Sequence, residues 1–78
     1  MTNVDTQALG REYRRQAVRV FRLLADPKLR FTDAERKNMS EAAHLIVDES
    51  LRVVIDPDVM LGAAIIINEA IDQMVKRA

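Results

Sequence analysis

Glu41, His44 and Asp48 are the residues whose types and spacing come nearest to a reaction centre in this sequence. Glu-Ala-Ala-His has the carboxylate–imidazole spacing of di-iron bundles, because residues three apart share one side of a helix. Such a centre needs its groups pointing into a bundle, beside glutamates from neighbouring helices. Here all three fall away from the apolar stripe Met39–Ile46–Val53 that must face a core. The expectation is therefore a boundary histidine and no metal. The chain has no cysteine, which excludes thiolate metal sites, disulfides and a sulfur nucleophile. It has no glycine-rich phosphate loop, and no Ser/His/Asp set can be assembled from it. A protein without catalysis and without a cofactor is expected.

Asp48-Glu49-Ser50-Leu51 resembles the string around the prosthetic-group serine of acyl carrier proteins. Those place the serine at the start of a helix after a glycine-containing loop. Ser50 instead falls deep in a helical pattern, on its apolar side, and reads as a small packing residue. A helix-turn-helix DNA reader is disfavoured, since its second helix would present Asp56 and Asp58 to phosphates. Tyr13 and Phe21 fall on a core stripe and not on an exposed stacking platform.

The remaining chemistry is charge. Twelve basic residues balance twelve acidic ones, but unevenly along the chain. Residues 1–31 hold seven basic and three acidic residues, whereas residues 32–78 hold five basic and nine acidic. Arg11, Arg14, Arg15, Arg19 and Arg22 spread over an arc of ~140° of one helix, opposite its apolar stripe. All five are arginine, whose planar fork pairs bidentately with carboxylate or phosphate. The balancing acids elsewhere read as helix support: Asp33–Lys37, Asp48–Arg52 and Asp72–Lys76 each have the favourable acid-before-base spacing of four.

The elements that position these residues are three helices. Both prolines follow an aspartate, at Asp26-Pro27 and Asp56-Pro57, and divide the chain into thirds. The first helix, about residues 5–25, has Leu9, Tyr13, Ala17, Val20, Phe21 and Leu24 at helical spacing, with Asp5 as cap and Val4 and Leu9 as staple. Thr32-Asp33-Ala34-Glu35 is a capping box that opens a second helix over residues 33–54. Met39, Ala42, Ala43, Ile46, Ser50 and Val53 form its inner face. Asp56 as cap with Pro57 in the first helical position opens a third, over residues 57–76, with Lys76 and Arg77 at its negative end. The chain is all-α and reads as a single helical domain, residues 1–78. The longest apolar run, Val59 to Ile67, is far short of the ~20 residues of a membrane span. With no secretory leader apparent, a cytoplasmic location is expected.

The third helix carries too much apolar surface for one copy. Met60, Ala63, Ala64, Ile67, Ala70, Ile71 and Met74 already make a core stripe; Val59, Leu61, Ile65 and Ile66 widen it to roughly two-thirds of the circumference. A chain of 78 residues hides only about 60% of its unfolded surface, so a homo-oligomer is expected, most simply a dimeric bundle. Val59, Leu61, Ile65 and Ile66 would form the interface. Gly62, Ala63 and Ala64 would allow close approach, and Asn68 would fix register. The functional expectation is a small interaction protein that binds a partner protein through the arginine face, as adaptor, antagonist or sequestering factor. The alternatives are an oligomer that holds a phosphate-bearing ligand, a nucleotide signal or structured RNA, between arginine faces, and a structural subunit of a larger assembly.

Overall fold

The computed structural model describes residues 6–77. Among them the chain is all-helical and contains no strand: α1 spans Thr6–Ala25, α2 Asp33–Ser50 and α3 Pro57–Arg77. None of these helices is long and apolar enough to cross a membrane. The expected cap and staple at Asp5 and Val4 lie outside the described residues.

Each boundary has a local cause. Pro27 disfavours helical geometry at Asp26, and α1 ends at Ala25, with the Asp26 carboxylate accepting the Lys28 amide at 2.9 Å. The capping box forms in full: the Glu35 amide donates to Thr32 Oγ1 at 3.1 Å, and the Thr32 amide donates to Glu35 Oε1 at 2.8 Å. At α3, the Asp56 carboxylate accepts the Asp58 amide at 2.9 Å, as an N-cap does.

The end of α2 departs from expectation. The helix stops at Ser50, not at residue 54. Arg52 donates its amide to the Glu49 carbonyl at 3.1 Å, and Ser50 donates its hydroxyl to the Val47 carbonyl at 2.7 Å, so the last turn tightens and closes. The buried Glu49 carboxylate accepts the Asp56 amide at 3.0 Å, which draws the start of α3 back against the end of α2. Val53, Val54 and Ile55, all β-branched, have little helix preference to oppose this. Val53 is consequently 91% exposed and no part of the core. Arg52, carried past the helix end, pairs with Glu49 at 3.4 Å and not with Asp48. Among the described residues, Asp33–Lys37 and Asp72–Lys76 form no ion pair either.

Helix α2 is the spine. Helices α1 and α3 each pack along it, antiparallel to it, and have almost no packing with each other. The core takes Ala17 and Val20 from α1, Phe31 from the first link, Met39, Ala42, Ala43 and Ile46 from α2, and Met60, Ala63, Ile67 and Ala70 from α3. Five of these eleven are alanine, so the helices approach closely but enclose little apolar volume. Among the described residues, Met39 is the one large side chain wholly inside. The particle measures 45 × 19 × 19 Å with a radius of gyration of 13.6 Å. A compact chain of this length would have about 11.5 Å.

Side chains bolt α2 at both ends. Arg14 of α1 donates to the Ser50 carbonyl at the C-terminus of α2 (3.3 Å), and Arg36 of α2 donates to the Leu24 carbonyl at the C-terminus of α1 (2.6 Å). Each helix thus serves orphan carbonyls of the other. Arg77, at the end of α3, donates to Glu35 at 2.6 Å and to the Arg30 carbonyl at 3.2 Å. The Arg77 guanidinium, with the Thr32 amide, holds the Glu35 carboxyl down to about 2.

Two predictions follow from this packing. A Cβ on Gly10 would meet the Ser50 carbonyl oxygen at 2.7 Å, whereas one on Gly62 meets nothing within 4 Å. In urea unfolding, Gly10→Ala should cost about 1–3 kcal/mol, and Gly62→Ala should stabilise by about 0.5–1 kcal/mol. The Glu35 carboxyl titrates lower when folded than its ordinary 4.5, so its contribution is present above that pH and is lost as pH falls toward 2. Unfolding midpoints of Glu35→Gln measured over that range should show a shallower acid slope than those of the parent chain.

Candidate functional site

The residues that pointed toward a metal, Glu41, His44 and Asp48, are all exposed on the outer side of α2. Glu41 faces a groove between α2 and α3. His44 lies toward α1 on the other flank of α2, with its ring edge-on to Phe21 at 5.0 Å between centroids. Nδ1–H of His44 donates to the Ser40 carbonyl at 2.7 Å, which engages the nitrogen on that side. Among the described residues, no three His, Cys, Asp or Glu side chains are grouped to hold a metal ion. Ser50 is buried, with its hydroxyl engaged within its own helix. Tyr13 and Phe21 both pack against the core.

The five arginines of α1 divide into two roles. Arg14 is half-buried at the end of α2, where its guanidinium also approaches Ser50 Oγ at 3.4 Å. Arg11, Arg15, Arg19 and Arg22 are exposed. Arg15 lies 3.3 Å from Glu12. Arg11, Arg19 and Arg22 have no ion-pair partner among the described residues. Val18, 46% exposed, stands among them. Arg11, Arg15, Val18 and Arg22 follow a spacing of four, three and four and occupy an arc of ~60°. The surface is thus an apolar knob ringed by guanidinium groups. Val18 was passed over in the sequence because its arginine neighbours mark that side as solvated; its place in the helical register was the available signal.

On α3 the expected interface residues separate into two faces. Val59 is half-buried, and Ile66 joins Leu45 of α2 in a groove of about 730 Å³ whose walls include Glu41, Glu69 and Asp72. Leu61 (61% exposed), Ile65 (48%) and exposed Asn68 lie at least ~100° round the helix from Ile66, together with Asp72 and Val75 (58%). Ala63 belongs to the chain's own core, Ala64 is half-buried, and Gly62 faces open space. The single chain leaves Leu61, Ile65 and Val75 about half wet. Covering them would contribute about 1 kcal/mol each.

Removal of single arginines should expose their different roles in stability. Arg14→Ala leaves the Ser50 carbonyl without its charged donor and should lower unfolding stability by about 1–2 kcal/mol. Arg11→Ala, Arg19→Ala and Arg22→Ala should each stay within about 0.5 kcal/mol of the parent. Chemical denaturation of the four variants checks this.

Compared with known proteins, the chain matches no family model, no curated protein and no solved structure, so these two surfaces carry the functional reading.

Proposed function

We propose that this chain is a homo-oligomeric, non-catalytic interaction protein of the cytoplasm that docks onto an acidic surface of a partner protein through the exposed face of α1. It would act as an adaptor, an antagonist or a sequestering factor. The observation that supports this reading is the arrangement of Arg11, Arg15, Arg19 and Arg22 around exposed Val18. Protein interfaces combine an apolar centre with a polar rim and are enriched in arginine. Guanidinium groups on a rigid helix present bidentate donors to carboxylates at low ordering cost. Arg14 stays out of this contact, because it holds the end of α2.

The apolar centre is what favours a protein over a phosphate-bearing ligand. Phosphate oxygens gain from the arginines and gain nothing from Val18, whereas a partner protein can seat the valine in an apolar recess. Homo-oligomerisation is supported by the half-wet Leu61, Ile65 and Val75 on α3. It would repeat the basic face on each copy and strengthen binding to any multivalent partner by avidity.

Capture from nuclease-treated lysate, read by quantitative mass spectrometry, tests the docking face. A specific partner should be enriched with the parent chain and reduced at least tenfold with Arg15→Glu/Arg22→Glu. Val18→Ser should weaken that partner about tenfold while leaving weak phosphate binding unchanged. Retention of the partner by both variants would return the face to plain solvation. Duplex nucleic acid gripped by the four arginines would instead show log affinity falling with log salt at a slope near −3.6.

A further inference from the structure

We infer that the exposed stripe of α3 pairs antiparallel with the same stripe of a second copy, with Asn68 of each copy at the two-fold axis. The inference rests on the homo-oligomer reading above and adds its geometry. Leu61, Ile65, Asn68, Asp72 and Val75 succeed one another at spacings of four, three, four and three. That is the spacing of a coiled-coil seam. Helix α3 spans Pro57–Arg77, so Asn68 stands one residue from its midpoint.

The ends and the centre of the stripe are self-complementary about that point. Leu61 and Val75 lie seven residues before and after Asn68; Ile65 and Ile71 lie three before and after. Two copies running in opposite directions therefore oppose Leu61 with Val75 twice, as an isologous interface requires, and bring Ile65 level with Ile71, which borders the stripe and packs half-buried against its own chain's core. Asp72, the stripe's acid, then stands across from Ala64, four residues on the other side of Asn68, where a methyl group leaves its carboxylate a path to water. A shift of four residues would set Asp72 against Met60 in one direction and against Asn68, with loss of the Asn68–Asn68 pair, in the other. The two Asn68 amides, opposite each other, select the register in the way a single polar seam residue does.

Charge gives the same answer. Asp58 near the start of α3 and Lys76 near its end lie on one edge of the stripe, ~18 residues apart on a common helical line. Antiparallel pairing brings Asp58 of each copy near Lys76 of the other and opposes the two helix dipoles. Parallel pairing would set Asp58 beside Asp58 and Lys76 beside Lys76. A second copy thus complements this face at its apolar ends and in charge.

The chain contains no cysteine, so each introduced thiol is unique. Sedimentation equilibrium of the parent chain should give twice its 8.9 kDa mass. With a short bismaleimide linker, Asn68→Cys should cross-link to itself. Leu61→Cys mixed with Val75→Cys should give a mixed product at least tenfold more abundant than either variant alone. Ile65→Asp should raise the dissociation constant at least tenfold with its helical circular dichroism intact, since Ile65 is already half-exposed in the single chain. A dimer in which Leu61→Cys links to itself as readily as to Val75→Cys, or which tolerates Ile65→Asp, overturns the antiparallel pairing and leaves the homo-oligomer reading standing. A parent chain of monomeric mass overturns both.

Discussion

The structure depends on α2 being held at both ends by side chains of its two neighbours. At one end Arg36 reaches the final turn of α1 and Glu35 holds Arg77 of α3; at the other, Arg14 reaches the final turn of α2 and Glu49 holds the amide that begins α3. These contacts matter because the apolar core is thin. Alanine supplies five of the eleven core residues, and Met39 is the one large side chain fully enclosed among the described residues. Small residues give close helix contact but shelter little area, and helices that share only a spine cannot cover each other's outer flanks. The wet apolar side chains of α3 and the free arginines of α1 follow from that one constraint.

Much of this was legible in the sequence. The two Asp-Pro steps and the Thr32–Glu35 box mark helix starts because proline geometry and capping are local properties, readable within four residues. The inner faces of α1 and α3 were readable for the same reason, as a 3.6-residue period needs no knowledge of the partner. The end of α2 was not readable. Val53 continues the helical period, and what removes it from the helix is the buried Glu49 carboxylate turning toward the Asp56 amide, a contact across seven residues. The roles of Arg14, Arg36 and Arg77 were hidden likewise, since an arginine on a helix carries no sign of the carbonyl it will reach. Val59 and Ile66 could be grouped with Leu61 and Ile65 only while the position of α2 was unknown. Once Leu45 lies beside Ile66, the greasy helix has two distinct faces.

Those faces differ in chemistry. The arginine surface of α1 is cationic with a single apolar centre, and the outer stripe of α3 is apolar with polar residues at its middle. A small chain that separates them on two helices with almost no mutual packing can engage one without deforming the other, because α2 and its end contacts stand between them. No conformational link between the two is required for both to be used at once.

The neutral total also conceals a lengthwise polarity. Lys28, Arg30 and Arg77 gather where α1 and α3 end, and Asp48, Glu49, Asp56 and Asp58 gather where α2 ends and α3 begins, about 28 Å away along α3. A particle built this way experiences little net pull toward either electrode near its isoelectric point, yet the charges left over after Glu35–Arg77 and Glu49–Arg52 pair give it a lengthwise electric dipole that an applied field turns. Dielectric relaxation in dilute, low-salt solution would register that moment directly, even though the formal charge is zero.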